Sequence, residues 1–117
     1  MPAPGNLDAV FDALANGHRR QIVHELGLRP CSISELAHGE GLSLPAIHRH
    51  IEVLESAGMV ARRKVGRSNV LALRREPLRR LREWADGFHP YWGNDLERLE
   101  NYAEFLDRQQ SSTEGQT

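Results

Sequence analysis

The 117-residue chain holds one cysteine, Cys31. No disulfide can therefore form within it. No apolar run approaches the roughly 20 residues needed to cross a bilayer, and residues 1–20 lack the apolar core of a signal peptide. These absences predict a cytoplasmic protein with no membrane association. There is no glycine-rich phosphate loop and no Ser-His-acid order around a nucleophile elbow, so catalysis is not expected. Internal repeats are absent. An overall positive charge, the usual mark of nucleic-acid binding, is missing too, because the formal net charge is −1. One domain is the expectation at this length.

The distribution of charge says more than its total. Residues 61–82 hold nine Arg or Lys and a single acid, Glu76, a local charge of +8. Residues 1–60 carry −3 and residues 83–117 carry −6. A basic segment between acidic ones implies a localised anion-binding surface. The competing reading is a solvated charged face.

Residues 42–60 read LSLPAIHRHIEVLESAGMV. Ser43 is a good helix N-cap, and Pro45 falls in the first turn, where its missing N–H costs nothing. Gly58 ends the segment, as glycine does just past a helix. Ile47, Ile51 and Leu54 form one apolar stripe. His48 and His50 diverge by about 160° around such a helix and cannot share a metal. His48 and Glu52 stand four apart, a spacing more often met in a solvated surface pair. What remains is a short helix presenting Leu44, Pro45, His48, Arg49 and Glu52 outward, a face suited to entering a groove. Arg49 is placed either to grip a guanine edge or only to touch phosphate. Leu44 either meets a thymine methyl or is simply an exposed apolar residue. His50 lies beside the stripe and reads as a packed or capping histidine. His18 and His24 read as structural or surface residues.

The rest of the chain supplies partners for that helix. Leu7, Val10, Phe11 and Leu14 mark a first helix that Asn16-Gly17 interrupts. Ile22, Val23 and Leu26 mark a second, closed by Gly27 and Pro30. Ser32 and Glu35 fit a capping box opening a very short third helix, and residues 38–41 read as a glycine-rich turn. Short helix, turn and second helix form a helix-turn-helix. Residues 59–61, Val65 and residues 70–73 are β-prone around Gly66-Arg-Ser-Asn69, which predicts a hairpin with a basic tip. Pro77 opens a helix with Leu78, Leu81, Trp84, Ala85 and Phe88 on one side, and Gly87, Pro90 and Gly93 break it. Asn94 and Glu97 fit a second capping box. From Trp92, apolar residues at Leu96, Leu99, Ala103 and Leu106 follow 4-3-4-3 spacing, widened by Tyr102 and Phe105. Such a stripe needs a partner helix. The fold class is thus mainly α with a small β-hairpin, a winged helix-turn-helix with an additional C-terminal helix. Residues 1–90 would form the DNA-binding part, 91–110 a dimerisation helix and 111–117 a disordered tail.

ALANGHRRQIVHEL (13–26), SISELAHGEGLSLPAIHRHIEVLESAGMV (32–60) and RRKVGRSNVLAL (62–73) together resemble the ArsR/SmtB-type bacterial repressors. The resemblance spans about residues 7–90. It implies a homodimer that binds double-stranded operator DNA, an inverted repeat, and represses nearby genes. It implies a recognition helix using Leu44, Pro45, His48 and Arg49 with Ser43 as cap. Arg19 or Arg20 would contact the DNA backbone at the start of the second helix, and Arg63, Lys64 and Arg67 would form the wing. Dimer contacts would come from Leu7, Val10, Phe11 and Leu14 of the first helix and Leu96, Leu99, Tyr102 and Leu106 of the last.

Many members sense metals, and here the chain departs from the pattern. One family site needs Cys-x-Cys just before Asp-Leu-Ala, and Ser32 and Ser34 occupy those positions. Another needs Asp-x-His and a later His-x-x-Glu, but Asp86 and His89 are one residue too far apart and no histidine follows. Metal ligation of this kind needs three or four such donors, so neither a metal nor any other cofactor is expected. Cys31 reads as a small, partly buried hydrophobe. The alternatives are a metal- or thiol-responsive repressor and a winged-helix module that binds protein. The wing's charge argues against the latter.

Overall fold

The first four helices each begin where a side chain takes an unbonded backbone N–H. In the computed structural model, which describes residues 6–88 and 95–114, Asn6 Oδ1 accepts from the Asp8 N–H at 2.8 Å and opens α1, Leu7–Leu14. Asn16 accepts from Arg19 and opens α2, Gly17–Leu28. Ser32 opens α3, Ile33–Glu40, through a reciprocal capping box: its Oγ accepts from the Glu35 N–H, and Glu35 Oε1 accepts from the Ser32 N–H. Ser43 accepts from Ala46 and opens α4, Leu44–Ser56, with Pro45 in the first turn.

The stops are equally local. Gly41 ends α3 at φ 65° and Gly58 follows α4 at φ 76°, the left-handed region that glycine enters without penalty. The helix α3 runs through Gly39 to Glu40, so the expected four-residue turn at 38–41 contracts to Gly41 alone. Beyond Gly58 come β2, Val60–Val65, and β3, Ser68–Leu73. Val65 pairs with Ser68, leaving Gly66-Arg67 as a two-residue turn. Only Gly66 takes positive φ there, as in a type II′ hairpin.

A third strand was not expected. Cys31–Ser32 form β1, antiparallel to β3 in the register Cys31↔Leu71 and Ser32↔Val70, and the sheet order is β1-β3-β2. The hairpin is therefore stitched to the start of α3. Helix α5, Glu76–Asp86, follows the sheet.

The core gathers the stripes that the sequence separates. Val10, Ile22, Ile47, Ile51, Leu54, Met59 and Leu71 are fully buried, from three helices and the wing. Leu14, Leu42, Leu73, Leu78 and Leu81 pack half-buried against them. Among the described residues no polar side chain is buried, so apolar burial dominates.

The chain divides into two compact units, Met1–Glu83 and Trp84–Thr117. In the second, Trp84 and Phe88 meet edge to face with ring centroids 5.1 Å apart. Its long helix α6 spans Asp95–Glu114 and leaves its large apolar side chains exposed. Residues 111–114, expected in a disordered tail, are helical. Pro90, Trp92, Gly93 and Asn94, to which the sequence assigned a break, the start of a stripe and a cap, lie outside the described residues, as do 115–117.

Candidate nucleic-acid interface

The helix α4 buries Ile47, Ile51 and Leu54 and turns its opposite side to solvent. Leu44, Pro45, Arg49 and Glu52 are exposed, and His48 is half-buried. Arg49 makes no hydrogen bond or ion pair among the described residues, and the same holds for the side chains of Arg63, Lys64 and Arg67 on the wing. An arginine held by no internal partner keeps its whole donor fork for an outside anion.

Leu44, His48 and Arg67 come together. With Ser32, Ile33 and Asn69 they line one shallow cavity of about 220 Å³ between the starts of α3 and α4 and the wing turn. Arg49 lies elsewhere. It lines an apolar groove between α1 and α4, beside Ala9, Ala13, Val53 and Ala57. Successive residues point about 100° apart on a helix, so His48 and Arg49 serve different sides of the same exposed face. At the wing base Arg62 is held by Glu55 at 2.6 Å, which ties β2 to the end of α4.

The two arginines expected at the DNA backbone both reach the end of α1. Arg19 donates through Nε to the Ala13 carbonyl at 2.6 Å and through Nη2 to the Asp12 carbonyl at 3.2 Å. Arg20 donates through Nη1 to the Leu14 carbonyl at 2.7 Å. Both close the C-terminal end of α1, where the last carbonyls lack the i+4 partner of the helix interior and carry partial negative charge, the Asp12 carbonyl also accepting from the Ala15 N–H at 3.2 Å. Arg19 is half-buried in that position and caps the end of α1. Arg20 remains exposed.

The remaining Arg19 nitrogen, Nη1, lies 3.4 Å from His50 Nδ1. His18 stacks at a tilt near His50, centroids 5.7 Å apart, and its own Nδ1 meets Glu40 at 3.0 Å. Burial holds the His50 pKa below the ordinary histidine value, and the charges of Arg19, His18 and Arg49 add to the effect. No sequence spacing announces this cluster, because it joins α2, α3 and α4.

Ser32, at the first of the two family cysteine positions, spends its hydroxyl on capping α3, and Ser34 is exposed. Among the described residues no three His, Cys, Asp or Glu are grouped to hold a metal ion. His89 lies outside them. Cys31 is buried in β1, its Sγ–H donates to the Arg29 carbonyl at 3.4 Å, and burial pushes its thiol pKa up. A thiol so placed yields little thiolate.

Of the residues expected at a dimer contact, Phe11 is exposed while Leu7 and Leu14 are half-buried. Val10 has no exposed surface and belongs to the protomer core, a correction to its expected place in an interface. Leu96, Leu99, Tyr102 and Leu106 are all exposed on α6. No helix among the described residues is long and apolar enough to cross a membrane.

Comparison with known proteins places this geometry. A family model described as a helix-turn-helix domain matches residues 14–63. HTH-type transcriptional regulator Rv2034 of Mycobacterium tuberculosis is 35% identical over 106 residues, covering 91% of this chain and 94% of its own. The crystal structure of the ArsR family transcriptional regulator RHA00566 superposes with a TM-score of 0.67 at 32% identity, covering 74% of this chain and 89% of that one. A solution structure from Mycobacterium bovis, described as the homodimeric winged helix-turn-helix DNA-binding domain of a possible ArsR-family regulator, gives 0.58 at 26% identity, covering 70% and 79%.

Proposed function

The chain belongs to the ArsR family of winged helix-turn-helix transcriptional regulators, and from that premise we propose that it is a homodimeric repressor of an inverted-repeat operator, acting in the cytoplasm. The helix α4 enters the major groove, with Ser43 as its cap and Leu44, Pro45, His48 and Arg49 as its reading face. Arg63, Lys64 and Arg67 of the wing hold the flanking backbone or minor groove. The observation that carries this reading is the set of arginines without internal partners on α4 and the wing, beside others that are internally bound. Phosphate contacts need free cations, and α4 and the wing supply them side by side.

Two-fold pairing of protomers rests on Phe11, Leu7 and Leu14 of α1 and on Leu96, Leu99, Tyr102 and Leu106 of α6. The mycobacterial domain described as homodimeric supports it. Two reading helices related by a dyad require two half-sites about 10–10.5 base pairs apart, or a multiple. Selection of bound fragments from the source genome followed by footprinting tests this. Two protected half-sites with dyad symmetry are expected, and a single asymmetric block would overturn the reading.

A further inference from the structure

A second concavity, of about 570 Å³, lies at the base of the wing, where the end of α4, the start of β2 and the start of α5 converge. Four arginines line it: Arg62, Arg74, Arg75 and Arg80. Two acids share it, and both are already paired. Glu55 holds Arg62 at 2.6 Å. Glu76 meets Arg79 at 2.8 Å and Arg80 at 3.7 Å. Arg75 gives one N–H to the Gly27 carbonyl at 3.4 Å, which fixes the direction of its fork. The Arg74 side chain has no hydrogen bond or ion pair among the described residues. The cavity walls therefore carry a formal surplus of two positive charges. The unbonded N–H groups of the first turn of α5 add a partial positive charge.

This place is not the reading end. Glu55 stands eleven residues along α4 from Leu44, about 16 Å on the helix axis. Arg62 stands five strand residues from Arg67, about 17 Å from the wing tip. A duplex gripped by Leu44, His48 and Arg67 does not need these four arginines.

We propose that this cavity binds a small phosphorylated molecule by its phosphate group. A phosphate monoester brings close to two negative charges and three acceptor oxygens, which matches the surplus of two and the arginines lining the cavity. Arginine suits the role because its planar donors meet two oxygens at once. Arg74 is the residue without a competing partner and supplies the main contact, with Arg75 and Arg80 beside it. The ligand also competes with Glu55 for Arg62. That ion pair joins the wing to α4, so occupancy and operator affinity are linked, each changing the other by the same factor. The linkage rests on the DNA-reading surface proposed above. The binding itself does not.

The test is run on the full chain without DNA. Inorganic phosphate and pyrophosphate are titrated calorimetrically into the native protein, Arg74→Gln and Arg29→Gln. The last removes one exposed arginine that does not line the cavity and controls for the change in net charge. Saturable binding of one anion per protomer is expected for the native protein and Arg29→Gln, with a loss of about tenfold in Arg74→Gln. Equal affinity in all three, or no saturation, overturns the proposal. Phosphate-induced amide shifts in the native protein give a readout independent of any variant. Shifts at 55–62 and 74–80 support the site, whereas shifts confined to 44–49 and 66–69 overturn it. A salt series on scrambled duplex separates the other source of phosphate. If Arg74→Gln leaves anion binding intact but flattens that salt dependence, the surface serves the DNA backbone and the proposal fails.

Discussion

Arg19 of α2 and His50 of α4 are joined nitrogen to nitrogen, Nη1 to Nδ1 at 3.4 Å. An arginine can only donate, so this bond uses His50 Nδ1 as acceptor and favours the neutral imidazole with its proton on Nε2. The same guanidinium closes the end of α1. One side chain thus fixes the proposed reading helix to the helix proposed to meet the second protomer.

Replacing Arg19 by alanine removes three hydrogen bonds and leaves two carbonyls at the end of α1 without that donor. A loss of about 1–3 kcal/mol is expected. It would appear as a lower urea midpoint with an unchanged slope, since the same surface is exposed on unfolding. Arg20→Ala, which loses one exposed bond, should cost clearly less. Equal effects would contradict the clamp.

The pH response has a defined sign. Burial, then the charges of Arg19, His18 and Arg49, lower the folded-state pKa of His50, with Glu40 acting weakly in the opposite direction. The unfolded chain, with an ordinary value of about 6.5, therefore binds the proton more readily than the folded one. The contribution of neutral His50 is complete above about pH 6.5 and is lost as pH falls through the lowered folded value. Denaturation curves taken downward from pH 7 should show that loss, and His50→Gln should flatten it. A variant with the native pH slope would count against His50 as its source.

Reading and holding should separate by mutation. Arg49→Ala is expected to cost about 1–3 kcal/mol on the operator and to relax preference at one base position. Arg67→Ala should weaken specific and scrambled duplexes alike and reduce the salt slope by about one phosphate. If neither change alters binding to either duplex, α4 and the wing do not form the interface.

Pairing of protomers should depend on α6. A chain ending before residue 94 loses the exposed stripe of Leu96, Leu99, Tyr102 and Leu106. Sedimentation of that truncation should show monomer or aggregate, and a stable truncated dimer would place the contact elsewhere.

Operator affinity should be indifferent to zinc, cadmium or arsenite at micromolar levels. A change of about tenfold in operator titrations, about 1.4 kcal/mol of coupling, would reveal a ligand set beyond the family positions considered above.

Much of this architecture is written locally. The cap at Ser43, the stripe of Ile47, Ile51 and Leu54, and the stop at Gly58 each depend on residues within a turn or two, and all are where the spacing puts them. The hairpin is legible for the same reason. What escaped depends on distant partners. The strand β1 is two residues long and exists because Leu71 and Val70 lie across from it, forty residues later. Arg19 reads as a free surface arginine until α1 ends against it. His50 could be recognised as packed, but its partners come from α2 and α3. Residues 111–113, Ser-Ser-Thr, have weak helix preference, and α6 carries on through them to Glu114.

Ser32 serves two elements at once. It pairs with Val70 at the edge of the sheet and supplies the hydroxyl that starts α3. In metal-sensing kin of the type this chain resembles, a cysteine would stand there. A thiol is a poor cap, and losing a serine cap costs about 1 kcal/mol. Mutational drift toward a thiolate pair is therefore uphill at Ser32 and open at Ser34, which is exposed and outside the cap. An evolving lineage, or an engineer, would have to accept a weakened α3 before the second thiol could repay the change with a bound ion. The capping box thus guards Ser32 by a stability barrier that acts whether or not selection ever favours a metal.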